Sequence, residues 1–101
     1  MKMLKNSLMS VLPSNSKTKK YVATFMLSSG KEKKVSFGAK GYDDYTIKKD
    51  KEQRDRYRKR HAKDLKTGDP MRAGYLSYYL LWGDSTSLKQ NIKNYKQRFK
   101  L

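Results

Sequence analysis

The segment 48–66 carries the side chains best suited to chemistry in this chain. Ten of its nineteen residues are Lys or Arg, and only four are acidic. Ammonium and guanidinium groups bind phosphate oxygens, and arginine can do so through two parallel hydrogen bonds. We predict a charged helix over 48–66, for which Asp50 followed by Gln53 is a suitable start. The predicted nucleic-acid contacts are six residues of this segment and four outside it: Arg54, Arg56, Arg58, Lys59, Arg60, Lys63, Lys19, Lys20, Lys93 and Lys96.

The arginines of this helix cannot all face one way, because only residues three or four apart share a helix face. Some of them must therefore contact other partners or solvent. A solvated surface helix is the ordinary alternative for such a run, but the excess of Arg over Lys in its centre favours phosphate contact. Tyr57, His61 and Leu65 recur at steps of four and form a narrow stripe. We expect that stripe to pack against the aromatic residues that follow.

Catalytic chemistry has little support in the sequence. His61 is the only histidine, and the cations around it disfavour its protonation, so we expect a structural residue beside Tyr57. No nucleophile stands at a recognisable spacing from a base, and no Gly-rich phosphate loop or zinc-binding pattern occurs. A nuclease that uses Asp43, Asp44 and a lysine stays open as a minor alternative, although turn formation or local pairing with lysine is preferred. We expect no enzymatic activity, no metal and no cofactor.

The charge of the whole chain indicates the class of partner. Twenty-five Lys and Arg oppose nine Asp and Glu, which gives a net charge of +16 over 101 residues. Such an excess implies a polyanion, most often nucleic acid and less often an anionic membrane. The chain has no cysteine, so disulfides and thiolate metal sites are excluded. No run approaches the roughly 18 apolar residues of a transmembrane helix, and a membrane partner is not expected.

An aromatic segment, residues 69–82, is expected to anchor the core. It concentrates three tyrosines and the only tryptophan within fourteen residues. Asp69 can cap a helix and Pro70 suits its first turn, so the segment predicts a buried helix over 70–82. Gly83 is expected to end that helix through a positive φ.

Two strands and a C-terminal helix complete the predicted fold. Residues 21–27 and 33–37 have strand composition and flank Gly30, which predicts a β-hairpin that must pack on a helix or on another chain. Ser87 with Gln90 fits a capping box, and the apolar residues that follow recur at steps of four, three and four: Leu88, Ile92, Tyr95 and Phe99. The expected fold class is α+β, an N-terminal β-hairpin packed on about three short helices.

Residues 1–20 are predicted to be a flexible basic arm, and residues 21–101 a single small domain. The apolar residues between Met1 and Pro13 are interrupted by Asn6, Ser7 and Ser10, so this is not a signal sequence. A short amphipathic turn that docks on a partner is the other interpretation of this stretch. Residues 13–20 have the composition of a linker.

A set of short motifs spans most of the chain. They are Val35-Ser36-Phe37-Gly38, Asp44-Tyr45-Thr46, Lys49-Asp50, Arg54, Tyr57, Arg60-His61, Ala73-Gly74, Ser77, Leu80-Leu81-Trp82 and Leu88. Through them, residues 21–99 resemble a family of small basic proteins of nucleocytoplasmic large DNA viruses, which include the giant and algal viruses. No activity comes with the resemblance. It implies a viral protein carried in the virion and present in the host cytoplasm or viral factory during assembly.

Three functional hypotheses follow. The preferred one is a non-enzymatic structural virion protein that binds double-stranded DNA by sequence-independent phosphate neutralisation, for packaging or condensation. The second is a minor capsid protein that bridges major capsid subunits through its arm and hairpin edge. The third is an RNA-binding protein in which Tyr21, Phe25 and Phe37 stack on bases from an exposed strand face. The expected partners are nucleic acid, other virion or capsid proteins, and further copies of the chain.

Overall fold

Three antiparallel strands form a sheet in the order β1-β2-β3. The computed structural model describes residues 5–101. The strands are β1 (Ser7–Pro13), β2 (Lys19–Met26) and β3 (Glu32–Ala39). The helices are α1 (Tyr45–Lys48), α2 (Lys51–His61), α3 (Ala73–Leu76) and α4 (Leu88–Phe99), with a 3-10 helix at Ala62–Thr67 and a π-helical stretch at Ser77–Leu81. The α+β prediction is confirmed, and no described helix is long and apolar enough to cross a membrane.

The strand β1 was not predicted, because its sequence does not show the regular alternation of apolar and polar residues that identifies a strand. Residues 7–13 lie in the stretch expected to be a flexible arm, yet they pair with β2, with Leu8 opposite Phe25 and Val11 opposite Ala23. The register shifts between Leu8 and Ser10, so Met9 forms a β-bulge that breaks the two-residue period. The sheet therefore begins upstream of the expected domain start at residue 21. The first four residues of the predicted arm lie outside the described residues.

The sheet buries one face against the helices. A β-hairpin is only marginally stable in water by itself, so it requires packing of this kind. Phe25 and Phe37 are fully buried, and the Tyr21 ring, half-buried, stacks on Phe37 with centroids 5.8 Å apart. On the helical side, the core contains Tyr95 of α4 and five residues of the aromatic segment. These five are Tyr75, Leu76, Leu80, Leu81 and Trp82. Phe25 and Phe37 are thus core residues and Tyr21 packs against the core, so base stacking from an exposed strand face loses its basis.

The aromatic segment is helical, but it begins later and ends differently than expected. Asp69 caps a turn, where its Oδ1 accepts from the Met71 N–H at 2.9 Å, and the helix starts at Ala73. Gly83 does not have a positive φ. A Cβ at this position would overlap the Tyr79 carbonyl oxygen and lie 2.9 Å from Asn91 Oδ1, so glycine is needed for close approach.

The charged helix predicted over 48–66 is three short helical pieces. The turn α1 ends where Lys49 adopts φ +60°, and Asp50 then caps α2 as expected, since its Oδ1 accepts from the backbone N–H groups of Glu52 and Gln53. After His61 the chain tightens into the 3-10 helix. Within that helix, the Leu65 carbonyl accepts from the Tyr75 hydroxyl at 2.6 Å, which attaches it to the aromatic segment.

The C-terminal helix α4 confirms its prediction. Ser87 caps it by accepting from the Gln90 N–H at 3.2 Å, and Tyr95 is buried. Periodicity did not single out Asn91, which is also buried. Its Nδ2 donates to the carbonyls of Leu80 and Ser85, so α4 is joined to the end of the aromatic segment by hydrogen bonds as well as by packing.

Candidate nucleic-acid interface

The cations of α2 divide between two faces of the helix. We call Arg54 and Arg58, four residues apart, the inner pair. Only 9% of the Arg54 surface is exposed, and its guanidinium lies 4.8 Å from the centroid of the Tyr45 ring and 3.0 Å from Asp55 Oδ1. A buried guanidinium that already has these partners is not available to phosphate. The burial of Arg54 therefore counts against its predicted role as a nucleic-acid contact.

Arg58 is also occupied within the protein. Its Nε donates to the Trp82 carbonyl at 2.7 Å, and its Nη2 lies 2.9 Å from Asp84 Oδ1. This hydrogen bond is the main reason why the pKa of the Asp84 carboxyl is lowered below its ordinary value. Arg58 therefore joins α2 to the end of the aromatic segment, and these contacts count against its predicted role as a phosphate contact.

The opposite face of α2 carries cations without acidic partners. We call Arg56, Lys59, Arg60 and Lys63 the outer stripe. Lys59 and Arg60 follow Arg56 by three and four residues, which places both on its helix face, and Lys63 follows in the 3-10 helix. All four are exposed, and none forms an ion pair with any residue between 5 and 101. The structure therefore leaves these four predicted contacts open to a ligand.

The two lysines predicted on β2 have different surroundings. Lys20 Nζ lies 2.6 Å from Asp44 Oδ2, and Asp44 is 1% exposed. The other oxygen of Asp44 caps α1 by accepting from the Thr46 N–H. Lys20 thus neutralises a buried carboxylate, which counts against its predicted role as a phosphate contact, whereas Lys19 is exposed. The expected pairing of the aspartates with lysine is observed, since Asp43 faces Lys48 at 3.8 Å.

A third set of cations lies on α4. Lys93 and Lys96 are exposed, as their predicted role requires, and Lys89 lies on the same helix face, four residues before Lys93; Lys100 follows directly after the helix. Sequence reasoning selected only the middle two. The same period that revealed the apolar face of α4 could have identified this row of lysines.

A cleft of about 610 Å³ brings residues of both predicted basic segments together. Lys19 of β2 and Arg60 of α2 line it, with Tyr42 and Asp43 of the loop after β3. No sequence signal pointed to Tyr42, which lies in an irregular loop and is 73% exposed. The cleft joins two exposed cations that are far apart in the sequence with an exposed aromatic ring.

Stacked rings form part of the cleft wall. Tyr57 lies between Trp82 and His61, with centroids 4.4 Å and 4.1 Å away and interplanar angles of 10° and 24°. Burial, followed by the nearby Asp64 carboxylate, raises the pKa of Tyr57 to about 12, so the phenol stays neutral. His61 Nδ1 lies 3.0 Å from Asp64 Oδ2, and its place beside Tyr57 is the structural role expected for it.

Comparison with protein families identifies a relationship for the first part of the chain. A family model described as a family of unknown function (DUF5754) matches residues 9–61, just over half of the sequence. The chain belongs to this family. The DUF5754 match runs from the bulge of β1 to the last residue of α2, so it includes Lys19, Tyr42 and three residues of the outer stripe. No curated protein and no solved structure matches the chain.

Proposed function

We propose that the protein binds double-stranded DNA through its phosphates, without reading the base sequence, as a non-enzymatic structural protein. The observation that carries this proposal is the outer stripe. Its four side chains are exposed and free of acidic partners within residues 5–101, although the chain holds nine acidic residues. Cations arranged in this way can displace the counterions of a nucleic-acid backbone.

The separation of the α2 cations supports the proposal further. The protein uses Arg54, Arg58 and Lys20 to hold its elements together, and these cations are shielded from solvent. The cations of the outer stripe, by contrast, are exposed and form no ion pair with any residue between 5 and 101, so they remain available to an external partner. With a net charge of +16, a polyanion is the partner that this surface fits.

The test is duplex binding over a salt series. We compare wild type with R56Q/R60Q and with K31Q/K34Q, a control that removes two exposed charges from the β2–β3 turn and β3. The outer-stripe variant should flatten the slope of log affinity against log salt by about 2, since each lost phosphate contact contributes about 0.9. The control should change the slope little. Absence of binding, or equal flattening in both variants, would contradict the proposed surface.

The setting proposed for this DNA is the interior of a virion, and it rests on the resemblance to proteins of large DNA viruses alone. Within that setting, neutralising the phosphates of packaged DNA would reduce its self-repulsion. Binding should then be independent of base composition. Competition between AT-rich and GC-rich duplexes of equal length measures this directly, and a preference of tenfold or so for either would argue for base recognition instead.

A second candidate function has its own observation. The strand β1 lies at an edge of the sheet, and within its seven residues no side chain is charged. Met9 and Leu12 on it are 54% and 59% exposed. An edge without charged protection can pair with a neighbouring strand, as the minor capsid hypothesis requires. Sedimentation at high salt tests self-association: L12K should favour the monomer, whereas S36K on the opposite edge should not.

A further inference from the structure

We infer that the cleft beside Lys19 and Arg60 binds one unpaired nucleotide of a single-stranded nucleic acid. The inference rests on the proposed function and refines it, because the outer stripe, which shares Arg60 with the cleft, then serves duplex and single strand alike, while Tyr42 serves only the single strand. Its volume of about 610 Å³ falls within the range of about 300–1,000 Å³ found for small-molecule sites. A base held in a duplex cannot enter such a cleft without leaving its stack.

The charged groups of the cleft suit a phosphate. Lys19 and Arg60 both line it, both are exposed, and neither is in an ion pair with a described residue. The acidic groups in the cleft are already matched by lysine, because Asp44 pairs with Lys20 and Asp43 faces Lys48. The two remaining cations therefore give the cleft a positive potential, which attracts a backbone phosphate.

The aromatic groups suit a base. Tyr42 stands at the cleft with 73% of its surface exposed, and it follows Gly41, whose φ of +86° favours glycine. Such an exposed ring buries little apolar surface within the protein. When an unpaired base stacks on it, the facing surfaces of the ring and the base are both removed from water. Tyr57 already stacks on both His61 and Trp82. These three rings therefore line the cleft but do not supply the surface on which a base stacks.

One polar group of the cleft lacks a partner. Gln53 lines the cleft, and its Oε1 is the only buried side-chain nitrogen or oxygen among the described residues that makes no hydrogen bond. An unmade hydrogen bond of a buried acceptor is unfavourable, so an occupant that donates is stabilised there. Cytosine and adenine offer an exocyclic amino group as a donor, whereas thymine offers only its ring N3–H.

The sole tryptophan provides the readout, because Trp82 lines the cleft. Oligo(dC) should change Trp82 fluorescence, whereas a blunt duplex with the same number of phosphates should bind, by anisotropy of a labelled strand, without that change. R60Q should reduce the fluorescence response, while R56Q, which removes the same charge from the outer stripe but not from the cleft, should leave its amplitude intact.

Tyr42 gives the decisive variant, since 73% of its surface is exposed and its removal takes little from the core. Y42A should weaken oligo(dC) binding about tenfold, the size expected for loss of one base stack, and leave duplex affinity unchanged. Y42F should restore the affinity. Single-strand binding that leaves Trp82 unaffected, or that is equal in wild type and Y42A, would overturn the inference while duplex binding still supports the proposed function. Loss of binding to both ligands would overturn the two together.

Discussion

The arginines of the inner pair and those of the outer stripe lie on the same helix but have opposite surroundings. Arg54 and Arg58 are shielded and hydrogen-bonded, whereas Arg56 and Arg60 are exposed and unpaired within the described part of the chain. The steps of two residues between them rotate each side chain about halfway round the helix. An arginine in a basic run is therefore no evidence of phosphate contact until its helix face is known. Local composition alone would have assigned all four to the ligand.

The largest effect should come from removing an inner arginine. R58A should lower the free energy of unfolding by about 2–3 kcal/mol, because the Trp82 carbonyl loses a charge-assisted hydrogen bond. R56A should stay within about 0.5 kcal/mol of wild type, as is usual for exposed positions. Urea unfolding of the two variants measures the difference. Equal destabilisation would show that the two faces do not differ in the way described.

A smaller effect should follow from exchanging one cation for another. R54K keeps the charge but loses the planar group that lies over Tyr45 and contacts Asp55, so we expect destabilisation of about 1 kcal/mol. R60K should leave stability unchanged. Thermal unfolding in parallel with duplex binding separates the two roles, and weaker duplex binding by R54K than by wild type would return Arg54 to the interface.

The smallest effect concerns pH. The Arg58 hydrogen bond, the first cause, lowers the pKa of Asp84 in the folded protein below its ordinary value of 3.8. The unfolded chain then binds more protons in this range, so the contribution of Asp84 is present above its unfolded pKa and is lost as the pH falls through the folded one. Asp84 is mostly exposed, and solvent screens much of this contribution.

Urea unfolding of wild type and D84N between about pH 2 and pH 5 tests this linkage. The stability difference between the two proteins should shrink as the pH falls. A constant difference across the range would mean that Arg58 gains nothing from the charge of Asp84, and that the Trp82 carbonyl is its only significant partner.

Much of the fold could be predicted because its signals are local. The cap residues Asp50 and Ser87 act on backbone groups two or three positions away, and both were recognised. The strand β1 was missed because one bulged residue, Met9, shifts the alternation that identifies a strand. The role of Gly83 was misassigned for a related reason, since the atoms that require it belong to Tyr79 and to the distant Asn91.

By itself the sequence determined the charge, the helix caps, the apolar period of α4 and the α+β class, all of which depend on residue type and short spacings. Only the tertiary structure decided which cations of α2 are free, because that depends on where Trp82, Asp84 and Tyr45 come to lie around the helix. It likewise joined Lys19, Tyr42 and Arg60 in one cleft. A local pattern does not record which residues pack around a helix, and for Arg58 the deciding contacts are with Trp82 and Asp84, more than twenty positions away.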